Sequence, residues 1–301
     1  MLADEAAAVT ESPLAAAPER IRVVEYTDPY SIWCWGCEPA IRRFEVVYPD
    51  AVEIDVRMGG LFEDFAPMRE WWARMSGGRW KDSVLAFMHA VADQHRMPMD
   101  PERMLGAMDD FRSTWPACVA VKAAELQGFP LGRRFLRRAR EAALVDGRPV
   151  HRREVQIALA SEVGLNGTRF ATALEDGSAD RAFEDDLDLC RSRGVKGFPT
   201  FEVIRGLVSL RIEGWQPWEV FDRALLDLDP DLRPRRLERS APEVRGVLER
   251  YGRCATREVA AVFGVTDDDA EILLEDLEGT SVVRRREAAG GVFWELASET
   301  A

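Results

Sequence analysis

Two cysteines separated by two residues, Cys34 and Cys37, are the most informative feature of the sequence. They enclose Trp35 and Gly36 and follow a β-branched run at residues 21–27. Two thiols at this spacing can close a small disulfide and open it again, and the thiolate form of a cysteine is the nucleophile of that exchange. The motif therefore indicates thiol–disulfide exchange as the chemistry of this chain.

A structural zinc site is the main competing interpretation of the Cys-x-x-Cys spacing. Such a site needs a second pair of ligands, either another Cys-x-x-Cys or a pair of histidines. The remaining cysteines and the histidines are scattered along the chain: Cys118, Cys190, Cys254, His89, His95 and His151. We predict no metal site and interpret the isolated cysteines as small buried hydrophobic residues. An incidental pair without chemistry remains the other alternative.

The bulk composition limits the classes of partner. The chain has 301 residues, of which 47% are hydrophobic, enough for a large core. Its formal net charge of -13 argues against nucleic acid and anionic membranes as partners, and no apolar run reaches the roughly 18 residues of a membrane span. Residues 1–19 lack the basic start and long apolar stretch of a signal peptide. We interpret them as a disordered tail and predict a cytoplasmic protein.

The elements around the cysteines follow a recognisable order. Residues 20–61 predict β-α-β, with the helix at Glu38–Val47, and residues 195–227 predict a β-hairpin followed by a helix. Residues 62–194 predict helices only, at 64–75, 81–97, 117–127, 131–144, 152–163, 168–175 and 179–193. The chain is therefore predicted to be an α/β protein, with the two halves of a thioredoxin fold separated by a large all-helical insertion.

The C-terminal part of the chain predicts a separate unit. Residues 228–242 are rich in Pro and Arg and predict a linker, and residues 243–301 predict a winged-helix-like module of three helices and a β-wing. Winged helices often bind DNA through the third helix, but here residues 266–278 carry seven carboxylates and no basic residue. Phosphates would be repelled, despite the arginines at 284–286. We favour a protein-interaction or packing role for this module.

Several short motifs of the chain resemble a known superfamily. They are Tyr26-Thr27-Asp28-Pro29, Cys34-Trp35-Gly36-Cys37-Glu38-Pro39, Gly59-Gly60-Leu61, Trp115-Pro116-Ala117 and Gly197-Phe198-Pro199-Thr200-Phe201. On these motifs the chain resembles the cytoplasmic branch of the DsbA-like thioredoxin superfamily. That branch includes FrnE-type oxidoreductases and adaptors that feed substrates to the ClpXP protease. The resemblance covers about residues 20–227 and leaves the C-terminal module outside.

The position of each cysteine suggests its role in the exchange. Cys34 is predicted at the N-terminus of a helix, where unpaired backbone N–H groups and the helix dipole stabilise a thiolate. Sites of this kind have thiol pKa values from about 3.5 to 7.5, against about 8.5 for a free cysteine. Cys37 is predicted one turn into the helix and more buried. We therefore assign Cys34 as the attacking nucleophile and Cys37 as the resolving thiol.

The resemblance implies a third member of the site, Pro199. In the superfamily the proline of the Gly-Phe-Pro-Thr motif is cis and faces the two cysteines, and X-Pro bonds are nearly the only ones that adopt the cis form. A substrate would then bind beside the Pro199 loop. The residues expected to contact it are Trp33, Trp35, Gly36, Phe198 and Thr200.

Three further groups of residues carry weaker hypotheses. Most tryptophans are interpreted as core or domain-packing residues, with an apolar substrate groove as the alternative: Trp33, Trp35, Trp71, Trp72, Trp80 and Trp115. The arginines between residues 133 and 140 are interpreted as a solvated face paired with carboxylates rather than as a site for an acidic partner. His151 is not expected to take part in proton transfer.

Two functions follow from these features. The leading hypothesis is a cytoplasmic thiol–disulfide oxidoreductase acting on protein or small-molecule disulfides, with the direction of electron flow left open. It needs no cofactor, although glutathione is an open candidate for the reductant. The alternative is a non-enzymatic adaptor that uses the same fold to bind a protein partner and keeps redox-sensing cysteines. A redox-gated DNA-binding regulator is disfavoured by the acidic third helix of the C-terminal module.

Overall fold

The computed structural model describes residues 19–297, so the predicted tail lies almost entirely outside the described residues. The main sheet has four strands in the order β2-β1-β3-β4. They are β1 (Ile21–Thr27), β2 (Val52–Met58), β3 (Thr200–Arg205) and β4 (Val208–Glu213). The β1 strand runs parallel to β2 and antiparallel to β3. Nearly all of β1 is buried, as expected for a central strand covered by helices on both faces.

Helices cover this sheet and fill the interval between β2 and β3. The first two are α1 (Ile32–Trp35) and α2 (Glu38–Val47). The inserted helices are α3 (Ala66–Met75), α4 (Trp80–His95), α5 (Pro101–Gly106), α6 (Trp115–Glu125), α7 (Phe129–Leu144), α8 (Arg153–Glu162), α9 (Gly167–Glu175) and α10 (Ser178–Arg193). After β4 comes α11 (Trp218–Leu228). None of the helices among residues 19–297 is long and apolar enough to cross a membrane.

The order of elements confirms the predicted fold class, a thioredoxin-like fold with a large helical insertion. The insertion contains one helix that the sequence did not predict, α5. Pro98 and Pro101 indicated a break in the chain, but a proline is well tolerated in the first turn of a helix, where its missing N–H has no partner to lose. Asp100 supplies the N-cap, since its Oδ1 accepts a 2.9 Å hydrogen bond from the Arg103 N–H.

The C-terminal module has its own small sheet and core. Its elements are α12 (Ala241–Tyr251), β5 (Cys254–Ala255), α13 (Thr256–Phe263), α14 (Asp267–Gly279), β6 (Val283–Ala288) and β7 (Gly291–Leu296). The strands pair in the order β5-β7-β6, and β5, a two-residue strand, was not predicted. Leu248, Leu274 and Trp294 are buried in its core. The α13 helix packs along α2, so the module is docked on the helix that follows the two cysteines.

The basic cluster of the wing is paired with carboxylates of the same module. The α14 helix carries Asp267, Asp268 and Asp269 in its first turn. In the wing, Arg286 Nε donates to Glu295 Oε1 at 2.6 Å, and Arg284 pairs with the same carboxylate. The basic cluster predicted in the wing is thus largely neutralised by neighbouring carboxylates.

Candidate active site

The two cysteines lie on different helices. Cys34 is the third residue of α1, whose N-cap Ser31 accepts a 3.2 Å hydrogen bond from the Cys34 N–H. Cys37 is the N-cap of α2. The prediction that Cys34 begins the long helix, with Cys37 one turn inside it, is therefore wrong. Pro39 explains the break, because it lacks an N–H and its ring would clash with the carbonyl of residue 35 in a continuous helix.

Both thiols are buried, and their pKa values are raised. Cys34 is 0% exposed and Cys37 is 1% exposed. Burial raises the pKa of Cys34 to about 11, although the nearby Arg140 guanidinium acts in the opposite direction. Burial also raises the pKa of Cys37 well above its ordinary value. The expected lowering of the Cys34 pKa at a helix N-terminus is thus outweighed by the loss of solvent.

A buried aspartate, Asp28, organises the loop between β1 and α1. Its Oδ1 accepts a 2.8 Å hydrogen bond from the Tyr30 N–H, and its Oδ2 accepts one of 2.7 Å from the Leu61 N–H. The Cys118 thiol donates to the same Oδ2 at 3.3 Å. Cys118 is therefore a buried structural residue that ties α6 to this loop. Cys190 and Cys254 are buried as well.

The Pro199 loop lies beside the Cys34–Cys37 segment. The peptide bond between Phe198 and Pro199 is cis. The register pairs Tyr26 with Thr200, which places Pro199 at the end of β1 from which the chain leaves for the cysteines. The Gly214 N–H donates to the Pro199 carbonyl at 2.8 Å. The next residue, Trp215, donates its Nε1–H to the Gly36 carbonyl at 2.9 Å, so this segment connects both halves of the site.

The residues predicted to contact substrate fall into two groups. Trp33 and Phe198 are half-buried and face a common cavity. Trp35, Gly36 and Thr200 are buried. Trp35 is 0% exposed and donates its Nε1–H to the Pro98 carbonyl at 2.8 Å, so its side chain packs into the interior and not toward the cavity. A tryptophan between two cysteines gives no sequence signal of whether it points inward.

A cavity beside α1, the short helix that carries Cys34, is almost wholly apolar. It has a volume of about 360 Å³ and lies between α1, the Pro199 loop and the inserted helices α3, α4 and α5. Aromatic and methionine side chains dominate its lining, including Trp33, Phe198, Met68, Trp72, Phe87 and Met108. Trp71 also lines it, so three of the tryptophans, Trp33, Trp71 and Trp72, contribute to its wall. Trp115 instead packs edge-on against Phe183, with ring centroids 5.5 Å apart.

A buried cluster of charges lies behind the cysteines. Arg140 is 1% exposed and donates to Glu25 Oε1 at 2.9 Å and to Glu38 Oε1 at 2.5 Å. It also donates to the Thr27 hydroxyl. Arg42, Arg137 and Arg140 together hold the pKa of Glu38 at about 2 despite its burial. The sequence analysis missed this cluster, although Glu25 between Val24 and Tyr26 in the predicted first strand was a usable signal.

The arginines between residues 133 and 140 are paired as expected but less exposed than expected. Arg138 Nε donates to Glu162 Oε2 at 2.7 Å on the surface. Arg137 and Arg140 are buried, which the solvated-face interpretation did not anticipate. The α7 helix therefore contributes its charges to the interior beneath the cysteines.

Two histidines lie near the site but neither is bonded to a cysteine. The His151 ring shares hydrogen bonds with the Tyr30 hydroxyl at 2.9 Å and with Asp110 Oδ1 at 3.0 Å. His95 packs against Gly36, where a β-carbon would come within 2.6 Å of the His95 Cβ. Burial lowers the pKa of His95 to about 4, so it is neutral at pH 7. Among residues 19–297 no group of three potential ligands is placed to hold a metal ion.

Comparison with known proteins finds a family model that matches the thioredoxin-like part and relatives that match most of the chain. A family model described as thioredoxin matches residues 25–223. The ClpXP adapter protein SpxH of Shouchella clausii is 27% identical over 281 residues, which cover 92% of this chain and 89% of that protein. The same-named protein of Bacillus subtilis is 24% identical over 92% of this chain and 90% of its own length. Alignments that cover 92% of the chain extend into the C-terminal module.

The solved structures that match cover a smaller part of the chain. The cytosolic disulfide reductase DsbM of Pseudomonas aeruginosa superposes with a TM-score of 0.54 at 25% identity, covering 69% of this chain and 99% of that protein. Its structure with GSH gives a TM-score of 0.52 at 26% identity over the same 69% and 100% of that chain. The similarity to DsbM therefore covers a length of chain close to that of the thioredoxin-like part alone.

Proposed function

The chain belongs to the thioredoxin family, and on that premise we propose that it is a thiol–disulfide oxidoreductase of the cytoplasm that works as a disulfide reductase. The observation that carries the proposal is the pair Cys34 and Cys37 at the end of β1. The Pro199 loop lies beside this pair, and the buried cation Arg140 lies behind it. Each of these parts has a role in the exchange reaction.

The proposed reaction has two displacement steps. The Cys34 thiolate attacks one sulfur of a substrate disulfide, which forms a mixed disulfide and releases the other sulfur as a thiolate. The Cys37 thiolate then attacks the Cys34 sulfur, which closes the Cys34–Cys37 disulfide and releases the second substrate thiol. The substrate has gained two electrons and the enzyme has lost them. Two glutathione molecules would return the enzyme to the dithiol and leave as glutathione disulfide.

The raised pKa of Cys34 supports the reductase direction. A stabilised thiolate favours the reduced enzyme and makes it an oxidant, as in strongly oxidising members of the class. Burial removes that stabilisation here, since it raises the pKa of Cys34 to about 11. The dithiol then gains little from ionisation and gives up its electrons more readily. The match to the cytosolic disulfide reductase DsbM agrees with this direction.

The apolar cavity supports a class of substrate. Trp33 and Phe198 form part of its lining, and its walls offer almost no polar groups. A disulfide flanked by a bulky apolar group would bury that group there, at about 25 cal/mol for each Å² removed from water. We therefore propose disulfides with an apolar neighbour as the preferred substrates.

A turnover assay tests the proposal. The purified protein is given glutathione and a disulfide peptide that carries a leucine or phenylalanine beside the cysteine. We expect Cys34→Ser to abolish reduction, and Cys37→Ser to accumulate a mixed disulfide on Cys34 that is released only by the slower attack of glutathione. A matched peptide with serine at the apolar position should react more slowly. Reduction by the unmodified protein no faster than by Cys34→Ser contradicts the proposal.

An adaptor function is the second candidate, and a specific observation favours it. The SpxH relatives match over both the thioredoxin-like part and the C-terminal module, whereas DsbM matches only about the former. The docked module would then complete a surface for a protein partner of a ClpXP-type protease. A pull-down from the native host with the double variant Cys34→Ser, Cys37→Ser tests this. Retention of a specific partner without the cysteines supports the adaptor, and recovery of no partner counts against it.

A further inference from the structure

One carboxylate of the C-terminal module, that of Glu258, is buried against the thioredoxin-like part. Glu258 lies on α13 and is 0% exposed. Its Oε1 accepts a 3.1 Å hydrogen bond from Arg42 Nε on α2, and its Oε2 accepts one of 2.7 Å from Arg137 Nη2 on α7. The Ala255 N–H donates to the same Oε2 at 2.8 Å. Glu258 therefore neutralises two buried arginines that belong to the other unit.

These two arginines lead directly to the cysteines. Arg42 Nη2 lies 3.1 Å from Glu38 Oε2, and Arg137 Nη1 lies 3.4 Å from the same oxygen. The other oxygen of Glu38 binds Arg140, as described above. Arg140 donates to the Thr27 hydroxyl, and both the guanidinium and this hydroxyl are close enough to Cys34 to act against the burial that raises the pKa of its thiol. A series of buried ion pairs therefore joins α13 to Arg140, the cation that acts on Cys34.

A second contact reaches the segment between the cysteines. The Arg137 guanidinium lies over the Trp35 ring, 4.4 Å from its centroid. This buried cation–π contact fixes the position of Arg137 against the residue that follows Cys34. Glu258 therefore affects the Cys34–Cys37 segment through packing as well as through charge.

We infer that Glu258 is a positioning residue of the Cys34–Cys37 site. Its charge determines how strongly the Arg140 guanidinium can stabilise a thiolate at the Cys34 sulfur. The inference deepens the proposed function and rests on it for its biological meaning. Glu38 forms ion pairs with three arginines, Arg42, Arg137 and Arg140. The strength of its pairing with each arginine therefore depends on how the other two are paired. As long as Glu258 occupies Arg42 and Arg137, Glu38 remains available to neutralise Arg140.

The sign of the effect follows from the shared carboxylate. Without the charge of Glu258, Arg42 and Arg137 draw Glu38 toward themselves, although Arg137 also keeps Glu141. Arg140 then retains Glu25 but loses part of Glu38, and it can stabilise a Cys34 thiolate better. Loss of a negative charge in the neighbourhood acts in the same direction. Cys34 should therefore ionise more easily.

The other groups that face Cys34 stay in place in this comparison. They are the Ser31 hydroxyl and the Thr27 hydroxyl, which favour the thiolate, and Glu25, which opposes it. Around Glu258 the nearby groups are Arg42, Arg137 and the buried Cys254 thiol of β5. Arg253 of the module is bound to Glu141 at 2.8 Å and so reaches Arg137 indirectly.

The test is the alkylation rate of Cys34 by iodoacetamide as a function of pH, followed by peptide mass spectrometry in a Cys37→Ser background. We expect Glu258→Gln to lower the apparent pKa of Cys34 by about one unit and to raise the rate at pH 7 about tenfold. Glu258→Asp keeps the charge and should restore a profile close to that of the parent. Glu295→Gln, which removes a wing ion pair in the same module, should change nothing.

A second measurement uses the unmutated protein and needs no variant to fold. If Glu258 is coupled to the cysteines, the coupling is reciprocal. The redox state of Cys34 and Cys37 must then also change how firmly the module is docked. We expect amide hydrogen exchange in α13 to differ about threefold or more between the dithiol and the disulfide form, with α8 unchanged. The inference is overturned by identical α13 exchange in both forms, or by equal profiles for Glu258→Gln and Glu258→Asp. Alkylation needs no disulfide substrate, so failure of the exchange assay and failure of this inference are separate results.

Discussion

The reactivity of Cys34 is determined by two opposing effects on one sulfur atom. Removal from water disfavours the thiolate, whereas Arg140 and the hydroxyls of Ser31 and Thr27 favour it. Burial dominates and raises the pKa of the thiol to about 11. The sulfur is therefore protonated at neutral pH until a substrate or a local opening changes its surroundings.

This balance predicts the pH dependence of Cys34 alkylation. Only the thiolate reacts. With a pKa of about 11, the thiolate fraction increases about tenfold for each unit by which the pH is raised, as long as the pH stays below 11. The rate measured by mass spectrometry should thus climb steadily from pH 6 to pH 9 without a plateau. A plateau beginning near pH 7 would contradict the burial argument and indicate a stabilised thiolate.

Replacement of Arg140 tests the charge behind the cysteines. Arg140→Met leaves Glu25 and Glu38 buried without their shared cation, and breaking a buried ion pair in this way costs about 3–5 kcal/mol. It should also raise the pKa of Cys34 further and slow exchange. Chemical denaturation and the alkylation profile measure the two effects.

Arg138→Gln is the matched control for Arg140→Met. It lies two residues away on the same helix and removes partly exposed pairs with Glu162 and Asp146. Such pairs contribute about 0–1 kcal/mol, so stability and the Cys34 profile should change little. Equal destabilisation by both variants would argue against a special role for Arg140.

The elements that position the site were only partly predictable. The bounds of α2 and the β-α-β order follow from apolar periodicity and glycine or proline punctuation, which are local properties of the chain. The break between α1 and α2 at Pro39 was missed because Cys34 and Cys37 were assumed to share one helix. Burial of Trp35 and of Arg140 could not be read from the sequence, because it depends on contacts with the distant Pro98 and Glu25.

The contact between the end of β2 and the Pro199 loop predicts a selective variant. Gly59 follows β2, and a β-carbon there would lie 1.9 Å from the Phe198 ring. Gly59→Ala should therefore displace the Pro199 loop, lower the exchange rate and destabilise the protein by about 1–3 kcal/mol. Gly197→Ala in the same loop has no atom within 4 Å of its β-carbon and serves as the control. Equal rates for both variants would show that the loop position does not matter.

At the scale of the whole molecule, buried charges join the two units. Glu38 interacts with Arg140 behind the cysteines and with Arg42 and Arg137, which bind Glu258 of the C-terminal module. Such networks specify one arrangement because each partner left alone would be costly to bury. The module is thus docked by contacts that a freely tethered domain would not have.

The network predicts a loss of stability in acid. The pKa of Glu38 is held at about 2 in the folded protein, below its ordinary value of 4.5. Its contribution is therefore complete above about pH 4.5 and is lost as the pH falls toward 2, with a magnitude of about 3 kcal/mol. Denaturation of the unmutated protein and of Glu38→Gln at several pH values checks this. The stability gap between them should narrow over that window, and a constant gap would contradict the assignment.

The central claim is that Cys34 attacks disulfides and Cys37 resolves the product. Trapping tests it most directly: the Cys37→Ser variant is incubated with glutathione disulfide, and the adduct is located by peptide mass spectrometry. The account predicts one glutathione on Cys34 in this variant and none on Cys118, Cys190 or Cys254, with no stable adduct when Cys37 is present. Absence of an adduct on Cys34, or an equal yield on the other cysteines, would contradict it.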